Sequence, residues 1–138
     1  MRALAAALAL IAAAPAAAQP ARPPGSPPQP PSLPIAELQT LDKITGRVST
    51  IDVAVGEPAR IGTLTVLVRV CRKRPPEEPP ESAAFLEISE KRGDAPAHRL
   101  FAGWMFASSP AISALEHPVY DVWMIDCRAA KPASSSTR

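Results

Sequence analysis

Apolar and polar residues alternate in several stretches of the chain, and this period-2 pattern predicts β-strands that bury one face. In the first stretch, Ile51 and Val53 share one face while Thr50 and Asp52 lie on the other. The predicted strands are residues 47–55, 60–71, 84–89, 99–106 and 119–127. The last of them is apolar on both faces, so we expect it inside the sheet system and not at an edge. Glycine and proline residues separate them, so neighbouring strands should pair antiparallel.

One segment favours a helix. Ser109 offers a side-chain hydroxyl as N-cap, Pro110 fits the first helical position, and residues 111–116 continue the turn. Pro118 ends it, because proline disfavours helical geometry at the preceding residue, His117. These elements together predict a mostly β fold, a small antiparallel barrel or sandwich of five to six strands with one short helical turn.

The first 18 residues have the three parts of a secretory signal peptide. Arg2 gives a positive start, residues 3–14 form an apolar run, and Ala16 and Ala18 place small side chains before a cut at Gln19. The run is shorter than the roughly 20 residues that cross a bilayer. No other segment is long and apolar enough to span one. We therefore expect a cleaved signal, export to the periplasm and a mature protein that does not span the membrane.

The remaining chain divides into three parts by composition. Residues 19–37 are rich in proline and predict an extended linker, residues 38–127 form the β domain, and residues 128–138 read as a flexible tail. The β domain carries ten Lys and Arg residues against twelve Asp and Glu, a net charge of −2. A nucleic-acid-binding domain would show a basic surface instead, so nucleic acid is not an expected partner.

The two cysteines, Cys71 and Cys127, each end a predicted strand. In an exported protein such a pair favours a disulfide, which would close a loop of about 56 residues and stabilise the fold by about 4 kcal/mol. The alternative is a reactive thiol at Cys71, whose pKa the following basic residues could lower. We predict the structural bridge.

A Ser/His/Asp hydrolase set can be assembled from Ser109 (or Ser108), His117 and Asp121. The Gly-x-Ser-x-Gly pattern that exposes a nucleophilic serine is absent. Ser109 is already explained as an N-cap, and the ring of His117 could serve the carbonyls that end the helical turn. His98 and His117 lack metal-ligand spacing, so neither a metal nor another cofactor is predicted.

Trp104 and Trp123 stand in the two most aromatic stretches of the chain. Burial in the core is the favoured interpretation, because large apolar side chains dominate small cores. The alternative is an exposed platform on which a ligand stacks.

The loop from Arg72 to Glu81 combines a basic triplet with prolines and acidic residues. Its possible surface-contact residues are Arg72, Lys73, Arg74, Glu77 and Glu78. A solvated loop with mutually neutralising charges is favoured over a docking element.

Several stretches resemble the uncharacterised family DUF2155 of alphaproteobacteria. They include residues 41–48, 68–76, 84–88, 100–110 ("LFAGWMFASSP") and 115–127 ("LEHPVYDVWMIDC"). The resemblance implies an envelope protein, with the signal and the cysteine pair as part of the pattern, and it implies no activity or cofactor.

The sequence thus predicts a non-catalytic binding or accessory module in the periplasm, acting on an unknown envelope protein or ligand. A small envelope hydrolase using the Ser109, His117 and Asp121 set, and an accessory subunit of an inner-membrane complex, are the alternatives.

Overall fold

The computed structural model describes residue 25 and residues 29–131. This part of the chain forms eight strands and one four-residue helix, α1 (Pro110–Ser113). The strands are β1 (Ile35–Asp42), β2 (Arg47–Ala54), β3 (Pro58–Ile61), β4 (Leu64–Lys73), β5 (Ser82–Glu90), β6 (His98–Phe106), β7 (Leu115–Glu116) and β8 (Tyr120–Arg128). Within the described residues no helix has the length and apolar character that a bilayer crossing requires.

The strands form two antiparallel four-stranded sheets that face each other as a sandwich. One sheet has the order β2-β1-β8-β7 and is called the β8 sheet here; the other has the order β3-β4-β5-β6 and is called the β5 sheet. The predicted mostly β class is confirmed, and of the two predicted architectures the sandwich fits.

Inward-facing residues of the two sheets form one core. Alternate positions are buried along β4 and β5. Val66 lies opposite Ile88 and Val68 lies opposite Leu86, and Leu64 is buried on the same face. The β8 sheet completes the core with Ala36, Leu38, Val53, Leu115, Val122 and Met124. Aliphatic and sulfur-containing side chains therefore fill the interior, and no tryptophan is among the buried residues.

Two β-bulges turn the cysteines into this core. In β4 the register with β5 shifts between Val68 and Val70, and in β8 the register with β1 shifts at the position of Ile125. Each shift moves the following residues to the opposite face of the strand. Cys71 and Cys127 consequently both point inward, with their Cα atoms 5.7 Å apart, and form the predicted disulfide between the two sheets.

Several predicted boundaries are wrong. β1 begins at Ile35, inside the predicted linker, and it was not predicted as a strand at all. Just before it, the N–H of Leu33 donates to the carbonyl of Cys71 at 2.7 Å. This hydrogen bond attaches the end of the proline-rich segment to the β5 sheet, so the folded part starts earlier than residue 38. β8 likewise continues to Arg128, one residue into the predicted tail.

The predicted strand 60–71 is divided by a turn at Gly62, where φ is +56° and the side chain of Tyr120 occupies the space that a Cβ atom would take. Glycine tolerates both conditions. The helix is also shorter than predicted, because it ends at Ser113 and Leu115–Glu116 pair with β8 as a strand. Ser109 stands at the N-cap position, but its side chain makes no capping hydrogen bond.

Candidate functional site

The outer face of the β5 sheet carries a groove of about 570 Å³ at the end of the sheet nearest the disulfide. Strands β4, β5 and β6 supply its floor, because residues on this face alternate with the buried ones. The chain segment before β1 and the loop after β4 form its rims. The groove is lined by Gln29, Pro30, Arg72, Arg74, Glu81, Ala83, Trp104 and Phe106.

Trp104 is the main apolar surface of the groove. It lies on β6 opposite Phe85 of β5, and the two rings meet edge to face with centroids 5.8 Å apart. The tryptophan remains 40% exposed. The prediction that Trp104 is largely buried is therefore wrong, because the neighbouring Met105 takes the inward position on β6. Trp123 is also on an outer face, half-buried on β8, since Val122 and Met124 point inward.

Arginine side chains give the groove a positive wall. The guanidinium group of Arg72 donates a hydrogen bond to the side chain of Gln29. Its Nε atom is buried and has no hydrogen-bond partner among the described residues. Arg74 is half exposed and lies 3.8 Å from the carboxylate of Glu78. Arg74 therefore retains exposed donors that a carboxylate or carbonyl group of a ligand could accept from, and Arg72 adds positive charge beside it.

The acidic group of the groove is already engaged. The hydroxyl of Ser108 donates to Glu81, and the backbone N–H of Ser108 donates to the same carboxylate at 3.2 Å. Partial burial acts to raise the pKa of Glu81, but these hydrogen bonds outweigh it and hold the pKa below its usual value. Glu81 therefore remains charged, and its hydrogen bonds to Ser108 hold it in place at the rim of the groove.

The predicted surface-contact residues do not act as one group. Arg72 and Arg74 line the groove, whereas Lys73 turns away and pairs with Asp126 at 2.7 Å. Glu78 is the partner of Arg74, and Glu77 is exposed in the loop. The sequence indicated both the arginines and the tryptophan beside them as possible contact residues, but in each case only as the alternative to the favoured interpretation.

The residues of the predicted hydrolase alternative have separate partners. The hydroxyl of Ser109 lies 3.5 Å from that of Ser108, and Asp121 pairs with Lys43 at 2.7 Å. His117 is bonded to neither of them in the described part of the chain. The structure does not bring this set together as a triad.

His117 instead belongs to a buried cluster around Glu90. Both side chains are almost fully buried, and Nε2 of His117 lies 3.2 Å from the Glu90 carboxylate. The same carboxylate oxygen accepts from Arg92 at 2.8 Å and from the hydroxyl of Thr63 at 3.0 Å. The hydrogen bond from Arg92 lowers the pKa of Glu90 and, with the other donors, outweighs the effect of burial. Glu90 is a charged group inside the sandwich.

The predicted role of His117 at a helix end is wrong. Its Nδ1 atom accepts from the backbone N–H groups of Val119 and Tyr120, at 3.2 and 3.3 Å, in the turn between β7 and β8. This leaves Nε2 as the donor to Glu90. His117 is thus a structural residue, but it connects a β-turn to a buried carboxylate. His98, by contrast, is exposed and lies 3.9 Å from Glu90.

Comparison with known proteins places the chain in a family without an assigned activity. Residues 36–127 match the family model described as "Uncharacterized protein conserved in bacteria (DUF2155)". The chain belongs to this family. It is similar to "Uncharacterized protein RP359" of Rickettsia prowazekii (strain Madrid E), with 31% identity over 87 residues, which is 63% of this chain and 56% of that protein. The match thus spans little more than half of the relative's length. No solved structure matches.

Proposed function

We propose that the protein is an exported, non-catalytic binding module of the bacterial envelope, which holds an extended, proline-containing segment of a partner protein in the groove on the β5 sheet. The observation that carries this proposal is the 40% exposed Trp104 on the groove wall. An exposed tryptophan on a rigid strand presents a large apolar surface that a ligand can cover.

The chemistry of the groove supports a proline-containing ligand. Trp104 and Phe106 lie on one side, and Pro30 of the chain itself lines the same groove. Aromatic-lined grooves bind extended proline-rich segments, because such segments are already stiff and lose little entropy on binding. The carbonyl groups of an extended peptide are not used within it, so Arg74 could donate to them.

The sequence and the disulfide support export. Residues 1–18, which carry the predicted signal peptide, lie outside the described residues, so this part of the proposal depends on their sequence. A disulfide between Cys71 and Cys127 fits an oxidising compartment such as the periplasm. The intact mass of protein recovered from the periplasm should correspond to a chain that begins at Gln19; a mass that includes residues 1–18 would contradict cleavage.

The separate partners of Ser109, His117 and Asp121 favour this binding role over the hydrolase alternative. A catalytic triad needs a nucleophile bonded to a base that a third group orients, and the base candidate here donates to a buried carboxylate.

Binding can be tested with decaproline, which forms the extended helix without any other side chain. Decaproline should change the fluorescence of the wild-type protein saturably, because it covers Trp104. Replacing Trp104 with alanine should weaken binding at least about tenfold, as expected for loss of an aromatic contact in a binding site. Binding to the alanine variant is measured by calorimetry.

Trp123→Phe is the matched control, since Trp123 lies on the outer face of the other sheet. It should bind decaproline like the wild type. A Gly/Ser decamer of the same length should not bind. Equal affinity for both peptides, or an equal loss of decaproline affinity in both tryptophan variants, would show that the groove does not recognise proline-rich segments.

A further inference from the structure

Strand β6 forms one edge of the β5 sheet, and part of its backbone has no partner. The N–H of Ala107 donates to the carbonyl of Ser82 directly opposite, at 2.9 Å. Bonded and non-bonded pairs alternate along an antiparallel ladder, so Ala102 and Trp104 must point their N–H and C=O groups away from β5. Among the described residues no backbone group bonds to them from that side.

We propose that this edge pairs with the same edge of a second copy, so that the two β5 sheets join into one eight-stranded antiparallel sheet. The proposal goes beyond the groove and does not depend on what the groove binds. A two-fold axis through Gly103 places Ala102 of each copy opposite Trp104 of the other. The unpaired groups of these two residues then form four hydrogen bonds across the axis.

The side chains in this register are complementary in size. Ala102 and Trp104 share the outer face of the sheet, because they pair with Glu87 and Phe85, which also face outward. Directly opposite residues in a ladder lie within side-chain contact. The small Ala102 of one copy therefore leaves room for the exposed Trp104 of the other. The contact covers the side of Trp104 that faces away from β5, whereas the groove lies on the side toward β4 and β5.

Charges do not oppose this register. β6 begins with His98 and Arg99, and it has a bulge at Leu100, where its pairing with β5 shifts. The regular two-fold pairing therefore extends over residues 101–105, none of which is charged. Like charges directly opposite each other destabilise a ladder, and none lie opposite each other in this part of the edge.

The test is the oligomeric state of the full chain as purified from the expressing cells, measured by sedimentation equilibrium. The wild type should be a dimer at micromolar concentration. Ala102→Pro should dissociate it, because the lost N–H points away from β5 and the change removes no hydrogen bond within one copy. Ala102→Lys, which places a charge on the edge, should weaken dimerisation at least about tenfold while folding as the wild type does.

Val48→Lys is the matched control. Val48 is exposed on β2, the edge strand of the other sheet, and the same substitution there should leave the dimer intact. Both lysine variants should still bind decaproline if the groove proposal holds, since neither residue lines the groove. A monomeric wild type at the highest soluble concentration, or a dimer that Val48→Lys disrupts and Ala102→Lys does not, would overturn the proposal.

Discussion

Replacing Cys71 and Cys127 together with alanine should lower the free energy of unfolding by about 4 kcal/mol and the melting temperature by roughly 20 °C. The bridge spans 56 positions of the sequence and joins β4 of one sheet to β8 of the other. Without the bridge, the unfolded chain regains the conformational entropy that loop closure removes. The two sheets then depend on packing alone, and a domain of this size buries only a modest core. Thermal and urea denaturation measure the change.

Alanine is the substitution of choice because both sulfur atoms are buried, and a serine hydroxyl there would add its own burial cost. Wild-type protein unfolded in the presence of a reductant is the control, and its midpoint should approach that of the double variant. A double variant that melts within a few degrees of the oxidised wild type would mean that the sheets hold together without the bridge.

The sequence predicted this disulfide from the number and place of the cysteines, but it could not show how they meet. Strict alternation puts Cys71 on the face opposite Val68, and likewise puts Cys127 on the face opposite Met124. Bulges in β4 and β8 instead turn both cysteines to the buried face of their strands. A bulge depends on the pairing of two strands, and the sequence of one strand carries little sign of it.

The same limit explains why burial of Trp104 was favoured over an exposed platform. Aromatic content led to the expectation that Trp104 is buried, although strand alternation alone left open which face of β6 is inside. The choice is made by the space between the sheets, which Met105 and Met124 fill with flexible side chains. Gly103 and Met105, the two neighbours of Trp104 in β6, take the less exposed positions, and Trp104 is consequently on the outer face.

The buried carboxylate has no sequence signature either. Glu90 ends β5 just before a turn, a position where a charged residue is usually solvated. Its partner Arg92 is near in sequence, but Thr63 and His117 lie 27 residues away on either side. The pairing of β4 with β5 brings Thr63 beside Glu90, and the stacking of the two sheets brings His117 to the same carboxylate. The local sequence therefore indicates Arg92 as a partner of Glu90, but it does not indicate that Glu90 is buried.

Glu90→Gln should accordingly give the largest loss of stability among single charge-neutralising substitutions, a fall in melting temperature on the order of 5–10 °C at neutral pH. The amide keeps the size of the side chain but removes the negative charge that Arg92 and His117 surround. The buried imidazole of His117 and the exposed guanidinium of Arg92 then face a neutral amide oxygen in place of a charged carboxylate oxygen.

The loss should depend on pH in a definite direction. The pKa of Glu90 is lower in the folded protein than in the unfolded chain, so its carboxylate stabilises the fold above the unfolded-state pKa, and that contribution is lost as the pH falls through the folded-state pKa. The melting temperatures of wild type and Glu90→Gln should therefore differ most at neutral pH and converge in acid. Glu87→Gln is the matched control on the same strand: Glu87 pairs with Arg69 on the exposed face, where solvent screens the pair, so its effect should be small at every pH. A difference between wild type and Glu90→Gln that stays constant from neutral pH into acid would show that the carboxylate acts through packing and not through its charge.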